Sequence, residues 1–165
     1  MRSKSMEDKY AELRYLTRAR LGLIWEMVMN EAELEGENAR FAEVLKQHPE
    51  YFDIWEQAAA LPPEETVLRD GTNPFVHVAI HHTIENQIAD HDPPQTAETL
   101  EALMRAGYTR HEAIHAIGAL LADEIFEILR DDGPFDEAGY VEALRDLART
   151  AKRRRRRRRP RRKAL

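Results

Sequence analysis

NPFVHVAIHHTIENQIADHDPP, residues 73–94, reads as one helix with a marked start and a marked stop. Asn73 is a good N-cap, because its side-chain oxygen can accept from the free N–H groups of the first turn. Pro74 suits the first helical position, where its missing N–H costs nothing and its φ is already helical. Val76, Ile80, Ile84 and Ile88 recur every four residues and form an apolar stripe. The His91–Pro94 stretch then stops the helix, since the residue before a proline is pushed out of the helical region.

Outward from this segment the same period recurs. A first helix is expected from about Met6 to about Glu33, closed by Gly36, with Leu13, Leu16, Ile24, Met27 and Val28 near one face. A second covers about Ala39 to Gln47 (Phe41, Val44, Leu45). A third runs from Pro49 to Ala60 (Tyr51, Ile54, Trp55), followed by a loop from Pro62 to Asn73. After the fourth, a short fifth helix holds Leu100, Leu103 and Met104 and is closed by Gly107. The sixth opens on Thr109 with Glu112 three residues on, a capping-box pattern, and buries Ile114, Ile117, Leu121, Ile125 and Ile128. A seventh spans about Asp136 to Thr150. No alternating Val/Ile/Thr run flanked by tight-turn dipeptides is present, so strands are not expected. The fold class is therefore all-α, an irregular bundle of six to seven helices over residues 1–150.

Hydrophobic residues make up 42% and charged residues 33% of the 165, the balance of a chain that buries a core. There is no cysteine, which removes disulfides, thiolate ligands and cysteine nucleophiles together and fits a cytoplasmic chain. No apolar run is long enough for a transmembrane helix, and the N-terminus lacks the pattern of a secretory signal. The net charge of −5 hides an asymmetry. Eleven basic residues lie in Lys152, Arg153, Arg154, Arg155, Arg156, Arg157, Arg158, Arg159, Arg161, Arg162 and Lys163, with Pro160 the only interruption. The other 14 Lys and Arg face all 30 Asp and Glu, so the body carries −16. Like charges in a block repel and stay solvated, so residues 151–165 are expected to form a disordered arginine-rich tail.

Six of the seven histidines fall between residues 77 and 115. His77, His81 and Glu85 recur every four residues on the fourth helix, and His111 and His115 do so on the sixth. Side chains four apart stand one above the other, so each pair can converge on one ion. Nitrogen and oxygen donors without sulfur suit zinc, iron, manganese or nickel. The expected ligands are His77, His81, His111 and His115, with Glu85 as a fifth ligand or a hydrogen-bonding support. The bland alternative is that these histidines border the core and bond a carboxylate or carbonyl. His82 is expected at the surface, and His48 and His91, beside prolines or turns, in solvent.

Residues 111–115 read HEAIH, the spacing by which zinc peptidases present two ligands and a general-base glutamate. Gly118 fits the longer metzincin pattern, but its next ligand position holds Leu121. Peptidase chemistry is therefore disfavoured. Were the site catalytic, a metal-bound water would be the active group and Glu112 or Glu85 the candidate base. The chain has no GxxxxGK[ST], GxGxxG or GxSxG motif.

Three stretches, HPEYFDIWEQA (48–58), NPFVHVAIHHTIENQIADHDPP (73–94) and GYTRHEAIHAIGALLADEIFEIL (107–129), resemble an uncharacterised bacterial family, domain of unknown function 1841. The resemblance spans about His48 to Arg130. It implies a small helical cytoplasmic protein in which both histidine pairs belong to the family pattern, and it brings no activity with it. The arginine tail lies outside that pattern.

The tail would neutralise phosphates of RNA, DNA or anionic lipid with steep salt dependence. It has no aromatic residue for base stacking, so sequence recognition is not expected. Three functional readings follow: a metal-binding helical protein, a non-enzymatic adaptor whose tail holds RNA or DNA, and a structural domain with non-ligand histidines.

Overall fold

A computed structural model describes the backbone of residues 6–62, 64–131 and 133–158, with side chains from 17 to 154 apart from 63, 129, 131 and 132. The protein is all-α, as its sequence reads. Seven α-helices are described: α1 (Met6–Met29), α2 (Gly36–Lys46), α3 (Phe52–Gln57, preceded by a 3-10 turn Pro49–Tyr51), α4 (Pro74–Asp90), α5 (Pro94–Arg105), α6 (Arg110–Asp131) and α7 (Glu137–Arg158). The described residues contain no strand, only an isolated bridge between Arg69 and Thr72. No described helix is long and apolar enough to cross a membrane.

The chain groups into two compact units that divide between His82 and Thr83, inside α4. In the first, α1 packs on α2 and α3. Its core joins Leu21, Ile24 and Trp25 to Phe41, Val44, Leu45, Ile54, Trp55, Phe75 and Val78. Helix α1 ends at Met29, short of the expected Glu33 and Gly36. Glu31 takes a left-handed φ of 53°, and the Ala32 N–H returns to the Met27 carbonyl, which satisfies the last turn without glycine. Gly36, at φ 57°, instead opens α2. Two arginines tie down the 62–73 loop. The guanidinium of Arg18, almost fully buried, donates to the carbonyls of Pro62 and Glu65. Arg69 grips both carboxylate oxygens of Asp53 (2.8 and 2.6 Å), which holds that carboxyl below its ordinary pKa.

In the second unit α5, α6 and α7 pack against one another. A polar knot ties the end of α4 to α5 and α7. The Gln87 side-chain oxygen accepts from the hydroxyls of Thr96 and Tyr140 (2.9 Å each), and Thr99 donates to the Leu144 carbonyl (3.0 Å). The Gly107 turn closes α5 as expected: at φ 100° it lets Tyr108 N–H reach back to Leu103. Asn73 and Thr109 also cap as read. Asn73 Oδ1 accepts from Phe75 and Val76, and Thr109 exchanges bonds with Glu112.

Two stripes differ from the expectation. On α4 the buried face is Phe75, Val78, His81, His82 and Ile84, while Val76 is 52% exposed. Ile84 of the expected row is fully buried and Ile80 and Ile88 are half-buried, while Phe75 packs on Trp55 and His82 stacks on Phe41. On α6 burial stops at Leu121: Ile125 is exposed and Ile128 only partly buried. Helix α7 runs eight residues past Thr150 into the arginine run, and residues 159–165 of the expected disordered tail lie outside the described residues.

Removing the Tyr140 hydroxyl (Tyr140→Phe) is expected to cost about 1 kcal/mol, the net worth of a neutral buried hydrogen bond. A urea titration checks this. An unchanged midpoint would mean that the Gln87 knot adds no net stability.

Candidate metal centre

The 41, 44, 45, 48 spacing of Phe41, Val44, Leu45 and His48 is one continuous helical face. Its last member is an imidazole delivered to the core just past the end of α2. His48 is 1% exposed, not in solvent as its neighbouring proline implies. Pro49 only starts the next turn, while the ring points back under α2. There His48 Nδ1 lies 2.8 Å from the Val44 carbonyl. A carbonyl oxygen only accepts, so Nδ1 carries the proton, and in the neutral ring Nε2 presents its lone pair.

That lone pair meets α4. His48 Nε2 lies 3.0 Å from His77 Nε2. The ring centroids of His48 and His77 are 4.8 Å apart, those of His48 and His81 4.8 Å, and those of His77 and His81 4.4 Å. One ligand atom from each of the three lies within 4.8 Å of the others. His81 is 3% exposed and His77 partly so. Tyr51 closes the cluster, its ring parallel to His48 and edge-on to His77, both at 6.0 Å. Burial pushes the Tyr51 phenol above its ordinary pKa. Tyr51 in turn packs on Trp55.

The four-residue spacing of His77 and His81 thus brings those two together, and the structure adds His48, which the sequence reading placed in solvent. The signal that finds His48 is its position on the Phe41–Val44–Leu45 face. His82 is the other correction: it is 8% exposed, stacked on Phe41 (4.5 Å, 20°), with its Nε2 3.3 Å from the Glu37 carbonyl. Burial holds its pKa below the ordinary histidine value.

The remaining expected site residues lie in the second unit. His111 and His115 are exposed, with their Nε2 atoms 2.9 Å apart. Glu85 forms a two-point ion pair with Arg110, one contact at 2.7 Å. Glu112 accepts from the backbone N–H (2.7 Å) and hydroxyl (2.9 Å) of Thr109, which hold its carboxyl below the usual range. Both acids proposed as bases are therefore engaged: Glu85 by a guanidinium, Glu112 by the capping box. Of the expected nucleic-acid-binding residues, Lys152, Arg153 and Arg154 are exposed on α7.

A family model described as "Domain of unknown function (DUF1841)" matches residues 14–146. The chain belongs to this family. The match takes in all three stretches that carry the resemblance and extends beyond them into α1 and α7. No curated protein and no solved structure is matched. Within the DUF1841 match lie every histidine of the chain and none of the arginine run.

The tautomer of His48 is testable without any ion. Two-bond 1H–15N correlation at neutral pH is expected to show His48 with a protonated Nδ1 and a bare Nε2. A proton on Nε2 instead would contradict the bond to Val44 and remove the lone pair from the cluster.

Proposed function

We propose that the protein binds one divalent transition metal ion at His48, His77 and His81. The observation that carries this reading is the bond from His48 Nδ1–H to the Val44 carbonyl. Metal-ligating histidines almost always donate their second ring nitrogen to a carbonyl or carboxylate, which fixes the tautomer and aims the other lone pair. Here that lone pair is aimed at two more imidazoles in a buried, aromatic-walled place.

Each neutral imidazole has one donor and one acceptor, and with no ion bound His77 Nε2–H can donate to the bare Nε2 of His48 at 3.0 Å. Tetrahedral zinc with bonds of 2.0–2.1 Å separates its ligand atoms by about 3.3 Å. For the His48–His77 pair, loading therefore asks for a shift of only a few tenths of an ångström. Zinc, iron, manganese and nickel all accept such donors, and the absence of sulfur argues against a purely thiophilic site.

His111 and His115 stay candidate ligands on their spacing, and Glu85 on its place in the HxxxHxxxE row. A further position held by water would be acidified toward neutral pH, the chemistry such an ion supplies. Because Glu85 and Glu112 are engaged elsewhere, we propose binding rather than turnover as the function. The cytoplasmic placement rests on the cysteine-free composition.

Elemental analysis of protein purified without chelator or immobilised-metal resin is expected to return about one ion per chain. H48A and H81A are expected to lose it, and H91N to keep it. Zinc added at 100 times its Kd should stabilise the wild type by about 2.7 kcal/mol and leave H81A unmoved. H115A separates a three-histidine centre, which keeps its metal, from a larger one, which loses it. A wild-type protein that is metal-free and indifferent to added zinc, iron, manganese and nickel would return the histidines to a structural role.

A further inference from the structure

Helix α7 is seated in the second unit by Tyr140, Leu144, Ala148 and Ala151, spaced along one buried face. From 152 to the end of α7 at Arg158 the sequence offers that face nothing apolar, only Lys152 and six arginines. The backbone nonetheless stays helical to Arg158. Like charges three and four residues apart oppose a helix, so the extension runs against its own side chains. Two features support it. The seated part of α7 supplies a ready nucleus, and elongation from a formed turn is far easier than starting one. The first basic turn is also anchored: Arg154 donates to the Tyr108 hydroxyl (3.0 Å), and its guanidinium lies 5.7 Å from the centre of that ring.

From 152 to 158 every residue of this helix is a lysine or an arginine. Its diameter with side chains is about 10–12 Å. The B-form major groove is about 12 Å wide and walled on both sides by phosphate, whereas the A-form groove of duplex RNA is too deep and narrow to admit it. A single strand offers no second wall. We propose that Lys152–Arg158 is a preformed helical arm that lies in the major groove of double-stranded DNA and holds phosphates on both walls without reading sequence. The duplex relieves the repulsion that opposes the helix, so binding and helicity reinforce each other. This is independent of the metal centre.

The test uses the full-length chain and a fluorescein-labelled duplex of about 20 base pairs, long enough for two turns of groove, read by anisotropy. With Arg154 held on Tyr108, six neutralised phosphates give a slope of log K against log salt of about −5. Replacing all six residues Arg153–Arg158 by alanine, which preserves helicity, is expected to abolish binding. The decisive pair is R155A and R155P, which lose the same charge. Only proline breaks the helix, at about 3 kcal/mol, and R155P is expected to bind at least tenfold more weakly than R155A with an unchanged melting temperature. The proposal is overturned if R155P and R155A bind within twofold of each other. It is equally overturned if the six-alanine variant keeps its affinity, or if single-stranded DNA or duplex RNA binds as tightly as the DNA duplex.

Discussion

A buried imidazole has to be satisfied at both nitrogens, and at His48 one of them is committed to the backbone. The bond to the Val44 carbonyl is local, four residues back along the chain, and costs the fold almost nothing to make. Its consequence is not local. It fixes which nitrogen bears the proton, turns the other toward α4, and converts a histidine at a helix end into the third corner of a cluster with His77 and His81. An unpaired polar atom in that setting would cost between one and three kcal/mol. The aromatic wall of Tyr51 and Trp55 beside the cluster is itself part of the first unit's core.

Much of the fold is legible in the sequence because it is written in local chemistry. Asn73–Pro74, Thr109 with Glu112, and Gly107 each mark a helix end by a mechanism that needs no tertiary partner. Where tertiary contacts decide, the reading slips. Glu31 takes a conformation in which glycine is expected, so α1 ends four residues before Glu33. On α4 the isoleucines of the expected stripe are buried or half-buried, but its first member Val76 lies in solvent, and His82 comes inside by stacking on Phe41. The candidate site is half legible for the same reason. His77 and His81 announce themselves by spacing on one helix. His48 is separated from them by 29 residues of sequence, and a proline beside it points to solvent; only its register with Phe41, Val44 and Leu45 betrays the burial.

The two charge-bearing features of the chain fall on opposite sides of the end of the family match. The histidine cluster lies inside the DUF1841 match, on elements that also make the core. The arginine run lies beyond it, on a helix whose apolar face has already ended at Ala151. The first 150 residues carry −16, so the cationic run stands in strong charge contrast to the rest of the chain. Helix α7 continues into that run as far as Arg158, and Arg154 in its first basic turn bonds the Tyr108 hydroxyl.

The most direct test of the account is X-ray absorption at the zinc edge on zinc-loaded wild-type protein and on H48A. For the wild type the account predicts nitrogen donors at about 2.0 Å together with the multiple-scattering signature of at least three imidazoles, and for H48A the loss of one imidazole or of the bound zinc. A first shell of water and carboxylate oxygens, or a spectrum unchanged by removing His48, would contradict it.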